Sequence, residues 1–353
     1  FMSTTAFAAS IALAIVLWRG GVITRDGVIL IGTLSVFMNY AQGMMEPVQW
    51  LVQVMSSLVN VQVNVERVTR LLETESDVSD TPEVTAKYGD AFHPKKENWE
   101  PLYGDIEFQD VTFRYPDGSE NVLEHFNLKV PQGTNVAIVG ETGAGKSTLV
   151  NLVCRFFEPT QGRILIDGRD ARERSQLWLH SNIGYVLQTP HLFSGTVLEN
   201  LRYGRPDATM DEIEAAVKTV SADQIIARLP DGYNTDIGEG GNTLSTGEKQ
   251  LLSFARALLA DPRIFVLDEA TSSVDTVTER LIQDAIEKVM AGRTSFIIAH
   301  RLSTIRRADV ILVVHDGKII ESGTHRSLMN AKGAYYQLYT HQYREEQTRS
   351  MMD

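Results

Sequence analysis

The sequence predicts an α-helical segment at the amino terminus, followed by an α/β domain with a largely parallel sheet. Apolar residues crowd about the first sixty positions and recur at the three- and four-residue spacing of helices. From Gly104 onward, short apolar strand patterns alternate with helical patterns. The length of 353 residues exceeds one ordinary core, so two or more units are expected.

Composition and charge narrow the function classes. The formal net charge of −12 argues against a nucleic-acid-binding surface, because such a surface carries clustered Lys and Arg. The single cysteine, Cys154, allows no intrachain disulfide and no cysteine-based zinc site, which suits a domain in the reducing cytosol. The overall content of 43% hydrophobic and 22% charged residues hides the uneven placement of the apolar ones.

Residues 1–72 are predicted to be the last transmembrane helices of a membrane domain, with a helical extension into the cytosol. The apolar run from Ala6 to Trp18 is too short for a complete span and has no cleavage signal. A polar hairpin is expected from Arg19 to Gly27, and the stretch from Val28 to past Met45 is long enough to span. Helical spacing continues to Leu72, so one long helix is expected to leave the bilayer and enter solvent.

Polar residues at helical spacing are predicted to form a stripe on this helix: Gln42, Glu46, Gln49 and Gln53. Polar groups at membrane depth face a cavity or a partner rather than lipid, so Glu46 is the candidate for contact with a cationic or polar substrate. For Gln49 and Gln53 an equal alternative is that the helix has already reached the cytosol and the stripe is solvated.

The rest of the chain divides into three predicted parts. Residues 73–103 are a linker, because acidic residues and prolines interrupt the helical pattern. Residues 104–342 form the α/β domain, and residues 343–353 form a charged tail. Inside the domain a helix is expected over Lys146–Phe157, and buried strands over Val136–Val139, Ile183–Leu187, Ile264–Leu267 and Ser295–Ile298.

A glycine-rich segment between the first of these strands and the helix matches the P-loop pattern. Its glycines let backbone N–H groups wrap a triphosphate, and the helix that follows presents its positive end to the anion. Lys146 would reach the β and γ phosphates, and Ser147 would offer its hydroxyl to Mg²⁺. The alternative is a glycine-rich turn that binds nothing, which the strand–loop–helix context disfavours. The candidate residues are Gly140, Glu141, Thr142, Gly143, Ala144, Gly145, Lys146, Ser147 and Thr148.

Two carboxylates end the apolar strand Ile264–Leu267, where a buried strand has no structural use for acids. Asp268 is placed to hold the Mg²⁺ shell, and Glu269 to orient or deprotonate the attacking water. The alternative for Asp268 is a helix cap, which the P-loop in the same chain disfavours.

The order of further motifs resembles the ATP-binding-cassette (ABC) transporter family across residues 104–340. The segment Leu244–Glu248 resembles the family's signature motif at the start of a helix, with Ser245 and Gly247 as nucleotide-binding candidates. The resemblance implies an α/β P-loop ATPase domain of ABC type with an antiparallel β subdomain and a helical subdomain.

The same resemblance implies roles for residues outside the P-loop. Tyr115 would stack on adenine, and Gln188 would link the metal and the water to the membrane domain. His300 would be the switch histidine at the γ-phosphate, and Asp275 would lie in the loop that crosses a dimer interface. Glu269, His300 and Gln188 are thus the catalytic candidates, and Ser147, Gln188 and Asp268 the metal ligands.

The family also implies the biological setting. Its ATPase domains work as a head-to-tail pair, with each ATP held between the P-loop of one and the signature helix of the other. A membrane segment before the ATPase resembles exporters, so ATP hydrolysis would drive efflux of a small molecule, lipid or peptide. The expected location is the cell membrane, with the lipid bilayer as a partner and the ATPase domain in the cytosol.

The signature segment departs from the family's usual Leu-Ser-Gly-Gly-Gln. Thr246 replaces the middle glycine and adds a Cβ near the γ-phosphate. Glu248 replaces the final glutamine and adds negative charge near the triphosphate; the alternative is that its carboxylate points away. Both changes are expected to weaken the site to which this segment is donated, which favours a heterodimer with a related half-transporter. The alternative is a symmetric dimer that tolerates threonine.

Two other functions are weighed. A soluble ATPase of the family is disfavoured by the apolar stretch from Val28 to Met45. An ATP-gated channel or regulator with little turnover usually tolerates loss of the general base, whereas Glu269 is present here.

Overall fold

A computed structural model describes residues 2–268, 276–299 and 301–350. Contacts divide the chain into two units, Phe1–Ser76 and Asp77–Asp353. In chain order, the helices of the described residues are α1 Met2–Arg25, α2 Ile31–Gly43, α3 Met45–Glu73, α4 Pro82–Tyr88, α5 Lys146–Val153, α6 Gln176–His180, α7 Val197–Arg202, α8 Met210–Thr219, α9 Asp223–Ile226, α10 Thr246–Leu259, α11 Thr276–Met290, α12 Leu302–Arg307, α13 His325–Ala331 and α14 Ala334–Ser350. The strands are β1 Ile106–Phe113, β2 Leu123–Val130, β3 Asn135–Val139, β4 Gln161–Ile166, β5 Arg169–Asp170, β6 Ile183–Val186, β7 Ile264–Asp268, β8 Thr294–Ile298, β9 Val310–His315 and β10 Lys318–Gly323.

The first unit corrects the predicted hairpin from Arg19 to Gly27. Helix α1 runs on through Gly20 as far as Arg25, and the turn begins only after it. A Cβ at Gly20 would lie 2.3 Å from Leu34 Cδ1, so this glycine lets α1 pack closely on α2. The Thr24 hydroxyl also donates to the Gly20 carbonyl at 2.8 Å. Close packing between α1 and α2 thus explains why this segment is helical, although its composition predicts a turn.

The predicted continuous helix from Val28 to Leu72 is interrupted at Met44, because α2 ends at Gly43 and α3 begins at Met45. Met44 itself keeps a right-handed helical backbone, with φ −68° and ψ −19°. Pro47 has no N–H and its ring crowds the carbonyl four residues earlier, so a helical hydrogen bond is missing at this point. Gln42 therefore lies on α2, whereas Glu46 and Gln53 lie on α3. Among the described helices, none combines the length and the apolar composition needed to cross a bilayer.

The second unit is built on a six-stranded sheet in the order β10-β9-β3-β8-β7-β6. Strands β3, β6, β7, β8 and β9 pair in parallel, and β10 joins β9 antiparallel. Alternate residues of β3 enter two hydrophobic clusters: Ala137 and Val139 in one, Val136 and Ile138 in the other. Both faces of the sheet are thus covered, which explains why its central strands read as unbroken apolar runs.

Different elements cover the two faces. One cluster contains the apolar sides of α10 and α11, and the other contains α5 and the four-stranded antiparallel sheet β2-β1-β4-β5. Helices α7 to α10 form a helical subdomain in which α8 and α10 pack together. The predicted α/β domain with an antiparallel subdomain and a helical subdomain is confirmed.

Residues 77–103 pack as part of the second unit. Tyr88 of α4 is buried, and Trp178 Nε1 donates to the Glu100 carbonyl at 2.8 Å. The side chain of Arg155, which is only 2% exposed, connects this segment to the rest of the second unit. Its Nη1 lies 2.9 Å from Asp80 Oδ1 and also donates to the backbone carbonyls of residues 171 and 174.

Replacing Arg155 by Ala is expected to lower the free energy of unfolding by about 2–4 kcal/mol, because the half-buried carboxylate of Asp80 and two backbone carbonyls lose a buried guanidinium donor. Denaturant unfolding followed by circular dichroism measures the loss. Lys129→Ala is the control, since its ion pair with Glu107 is exposed and should contribute less than about 1 kcal/mol. Equal losses in both variants would show that the Arg155 network carries no special stability.

Candidate nucleotide-binding site

Three of the candidate groups lie where parallel strands end. The P-loop follows β3, Gln188 comes two residues after β6, and Asp268 is the last residue of β7. Strand β8 lies between β3 and β7, and β6 is the next strand beyond β7. Because the carboxyl ends of parallel strands meet at one edge of a sheet, these groups share that edge, where α/β folds bind ligands.

The P-loop requires glycine for two separate reasons. At Gly140 a Cβ would lie 2.1 Å from the carbonyl oxygen of Val314 on β9, so no side chain fits there. Gly145, the residue before α5, has φ 100°, a backbone conformation that L side chains rarely adopt. Helix α5 starts directly at Lys146, so its first N–H groups have no acceptor within the helix and are available to an anion held by the loop.

Lys146 is folded back into the loop. Its Nζ donates to the carbonyls of Gly140 and Glu141, each at 2.7 Å, and the side chain is buried. Burial lowers the pKa of Lys146, and the charge of Asp268 acts in the opposite direction.

Tyr115 lies beside the same helix. Its hydroxyl is 3.0 Å from Thr148 Oγ1, and its ring makes edge contacts with Phe113 and Phe157 at centroid distances of 4.9 Å and 5.1 Å. Thr148 is buried, whereas Glu141, Thr142, Gly143 and Ser147 are exposed. The structure thus joins the predicted adenine-stacking residue to the P-loop helix.

The predicted metal ligands offer a hydroxyl on Ser147, an amide on Gln188 and a carboxylate on Asp268. Ser147 and Gln188 are exposed and Asp268 is half-buried. Oxygen donors of this kind, completed by water and phosphate, fit Mg²⁺. Within the described ranges, no group of three or more His, Cys, Asp or Glu side chains forms a separate metal site. Glu269, Asp275 and His300 lie outside the described residues.

The signature candidates lie at the start of α10, on the helical subdomain. Ser245 is the N-cap residue: its Oγ accepts from Glu248 N at 3.3 Å, while Glu248 Oε2 accepts from Ser245 N at 2.9 Å. Ser245 and Thr246 are exposed, whereas Gly247 is buried. Within the described residues, the partner of the Ser245 hydroxyl is the backbone N–H of Glu248 in this capping box.

Both oxygens of the Glu248 carboxylate have partners within the chain. Besides closing the capping box, it forms an ion pair with Arg228, whose Nη2 lies 3.0 Å from Glu248 Oε1. Sequence reasoning missed Arg228, because it lies in the turn after α9 and twenty residues before its partner. An arginine at that separation carries no recognisable sequence signal.

Comparisons with known proteins identify similar chains. Residues 123–272 match the family described as ABC transporter. The chain is 45% identical over 325 residues to the uncharacterized ABC transporter ATP-binding protein YfiC of Bacillus subtilis, covering 92% of this chain and 52% of that protein. It is also 45% identical over 334 residues to the fatty acid ABC transporter ATP-binding/permease protein of Mycobacterium bovis, covering 95% and 51%.

A solved structure is similar as well. A bacterial Atm1-family ABC exporter with ATP bound aligns with a TM-score of 0.71 at 35% identity, over 96% of this chain and 56% of that one. The chain spans about half the length of the curated relatives it matches.

Proposed function

Because this chain belongs to the ABC transporter family and carries its ATPase domain, we propose that it is one half of an exporter that couples ATP hydrolysis to efflux across a membrane. The observation that carries the proposal is the buried Lys146, whose Nζ donates to the carbonyls of Gly140 and Glu141 inside the P-loop. The similarity to an Atm1-family exporter supports export rather than import. The ATPase domain would lie in the cytosol, at the cell membrane.

Binding would begin with the exposed backbone of the P-loop. The triphosphate would draw the ammonium of Lys146 away from the two carbonyls it contacts, because a phosphate oxygen is the stronger, charged acceptor. The adenine would stack on Tyr115, whose hydroxyl is tied to Thr148 in the P-loop helix. Base and phosphates would thus be held by connected residues of one domain.

The reaction needs a water held in line with the γ-phosphate. Glu269, next to Asp268 at the end of β7, is the residue we assign to orienting or deprotonating this water, and His300 the one we assign to the γ-phosphate. Ser147, Gln188 and Asp268 would hold Mg²⁺. When bound, that ion neutralises charge on the β and γ phosphates.

The second half of the site would come from another subunit, as the family resemblance implies. The signature residues Ser245 and Gly247 lie on the helical subdomain, and Asp275 would lie at the same interface. We therefore propose a head-to-tail pair of ATPase domains with two nucleotides between them. The relative from Mycobacterium bovis is named a fatty acid transporter, which supports a lipid or another amphipathic compound as the exported substrate.

The partner is proposed to be a non-identical half-transporter. Because Glu248 is paired with Arg228, the asymmetry argument rests on Thr246, which is exposed at the first position of α10. Its Cβ would stand between this helix end and the partner's nucleotide, where the usual glycine leaves room. A heterodimer confines this obstruction to one site and uses the catalytic residues of this chain at the other.

Expression without a partner tests this subunit composition. The full-length protein, purified alone in lipid nanodiscs, is expected to hydrolyse ATP at less than about a tenth of the rate of the same protein with its partner half-transporter, because each of its own sites would receive the threonine-containing signature. Light scattering reports its assembly state, and phosphate release its activity. A stable homodimer whose activity Thr246→Gly does not raise would refute the asymmetric arrangement.

A further inference from the structure

The start of α10 places an acidic side chain where a phosphate is expected. The N-terminus of a helix favours anions because its first N–H groups lack partners within the helix, and Ser245 and Thr246 are exposed at this end. A carboxylate in the first turn satisfies one of those groups and repels a phosphate nearby. Left unbalanced, Glu248 would weaken the anion site that the signature segment is proposed to supply.

The contacts of Glu248 show how this conflict is resolved. One carboxylate oxygen, Oε2, accepts from the backbone of Ser245 at 2.9 Å, and the other, Oε1, lies 3.0 Å from Nη2 of Arg228. The guanidinium is itself fixed, because its Nε donates to the Gln224 carbonyl at 3.2 Å. Both oxygens of the carboxylate are therefore engaged, and its charge is matched by a cation anchored to the neighbouring turn.

We propose that Arg228 is a positioning residue for the signature segment: it holds the carboxylate of Glu248 in the capping box and balances its charge, so that the start of α10 can receive the partner's nucleotide phosphates. This inference rests on the proposed function. The two differences from the family pattern therefore have different consequences. The charge of Glu248 is balanced by Arg228 within the chain, whereas no residue that the structure describes offsets the added Cβ of Thr246.

The chain contains a matched comparison. At the start of α8, Thr209 and Glu212 form the same kind of capping box, and Arg205 forms an ion pair with Glu212. No nucleotide role is proposed there. If the arginine only stabilised a capping-box glutamate, Arg205 and Arg228 would matter equally for the fold, and neither would affect the use of ATP.

The experiment measures ATP hydrolysis by the full-length chain in nanodiscs without its partner, so that every nucleotide site receives the signature of this chain. Arg228→Gln is expected to raise KM for ATP about threefold to tenfold, with a smaller effect on kcat, because the uncompensated carboxylate repels the triphosphate. The difference should shrink as ionic strength rises, since screening weakens a charge effect. Adding Glu248→Gln to Arg228→Gln should restore KM to within about twofold of the parent.

Arg205→Gln is the control, and KM for ATP should stay at the parent value. An unchanged KM in Arg228→Gln would overturn the inference, as would a raised KM that neither salt nor the second substitution relieves. Equal effects of Arg205→Gln and Arg228→Gln would also overturn it. A parent transporter that hydrolyses no ATP even with its partner half-transporter would overturn the proposed function, and this inference with it, whereas the other outcomes leave that function standing.

Discussion

Replacing Glu269 by Gln is expected to lower ATP turnover by about 10²–10⁴-fold while leaving ATP binding nearly unchanged. Glutamine keeps the size of the side chain and a hydrogen-bond acceptor, but it cannot take a proton from the attacking water. Glu269 follows directly on Asp268 in the sequence, at the end of the buried strand β7. The loss should therefore fall on kcat and not on the affinity for nucleotide.

Phosphate release measures turnover, and titration with a fluorescent ATP analogue measures binding. Glu173→Gln is the control for a glutamate on the surface of the same unit, since Glu173 is exposed. It should hydrolyse ATP at the parent rate. Turnover at the parent rate in the Glu269 variant would show that another group activates the water.

Replacing Lys146 by Ala should instead weaken ATP binding, by about tenfold to a hundredfold. The variant loses a charged donor to the β and γ phosphates, and such a contact contributes about 1.5–3 kcal/mol. Equilibrium titration with nucleotide measures the loss. Lys146→Arg keeps the charge with a different shape and should give an intermediate affinity. An affinity unchanged in Lys146→Ala would remove this lysine from the site.

The same lysine gives the parent protein a pH dependence. Burial lowers the pKa of Lys146 in the nucleotide-free protein, so its ammonium loses its proton at a lower pH than an exposed lysine does. The bound triphosphate favours the charged form, and ATP affinity is therefore expected to fall as the pH rises through that lowered pKa. The fall should be absent in Lys146→Ala.

The parts of the site that were predictable from sequence are those whose chemistry is local. A phosphate cradle needs glycines, a lysine and a hydroxyl within a few consecutive residues, and β7 needs its carboxylate directly at the strand end. The structure shows that the backbone requires glycine at both Gly140 and Gly145, and that the buried Lys146 donates to the carbonyl of Gly140. Their functional roles stay predictions until the variants are measured.

The features that sequence reasoning missed depend on contacts between distant residues. The extent of α1 follows from the close approach of Leu34 to Gly20, and composition at Gly20 alone predicts a turn. Arg155 donates to Asp80, which lies 75 positions earlier in the sequence. Asp80 belongs to a segment whose acidic residues and prolines are typical of a linker. The break between α2 and α3 was foreseeable, because Pro47 removes a helical hydrogen bond.

Steady-state ATP turnover by the full-length transporter in liposomes tests the central claim most directly. We expect magnesium-dependent hydrolysis at about 1 s⁻¹ or faster that is lost in the Glu269→Gln variant, as for an enzyme with a catalytic carboxylate. Nucleotide binding without turnover in the parent protein would contradict the claim, and would point to an ATP-gated channel or regulator instead of an exporter.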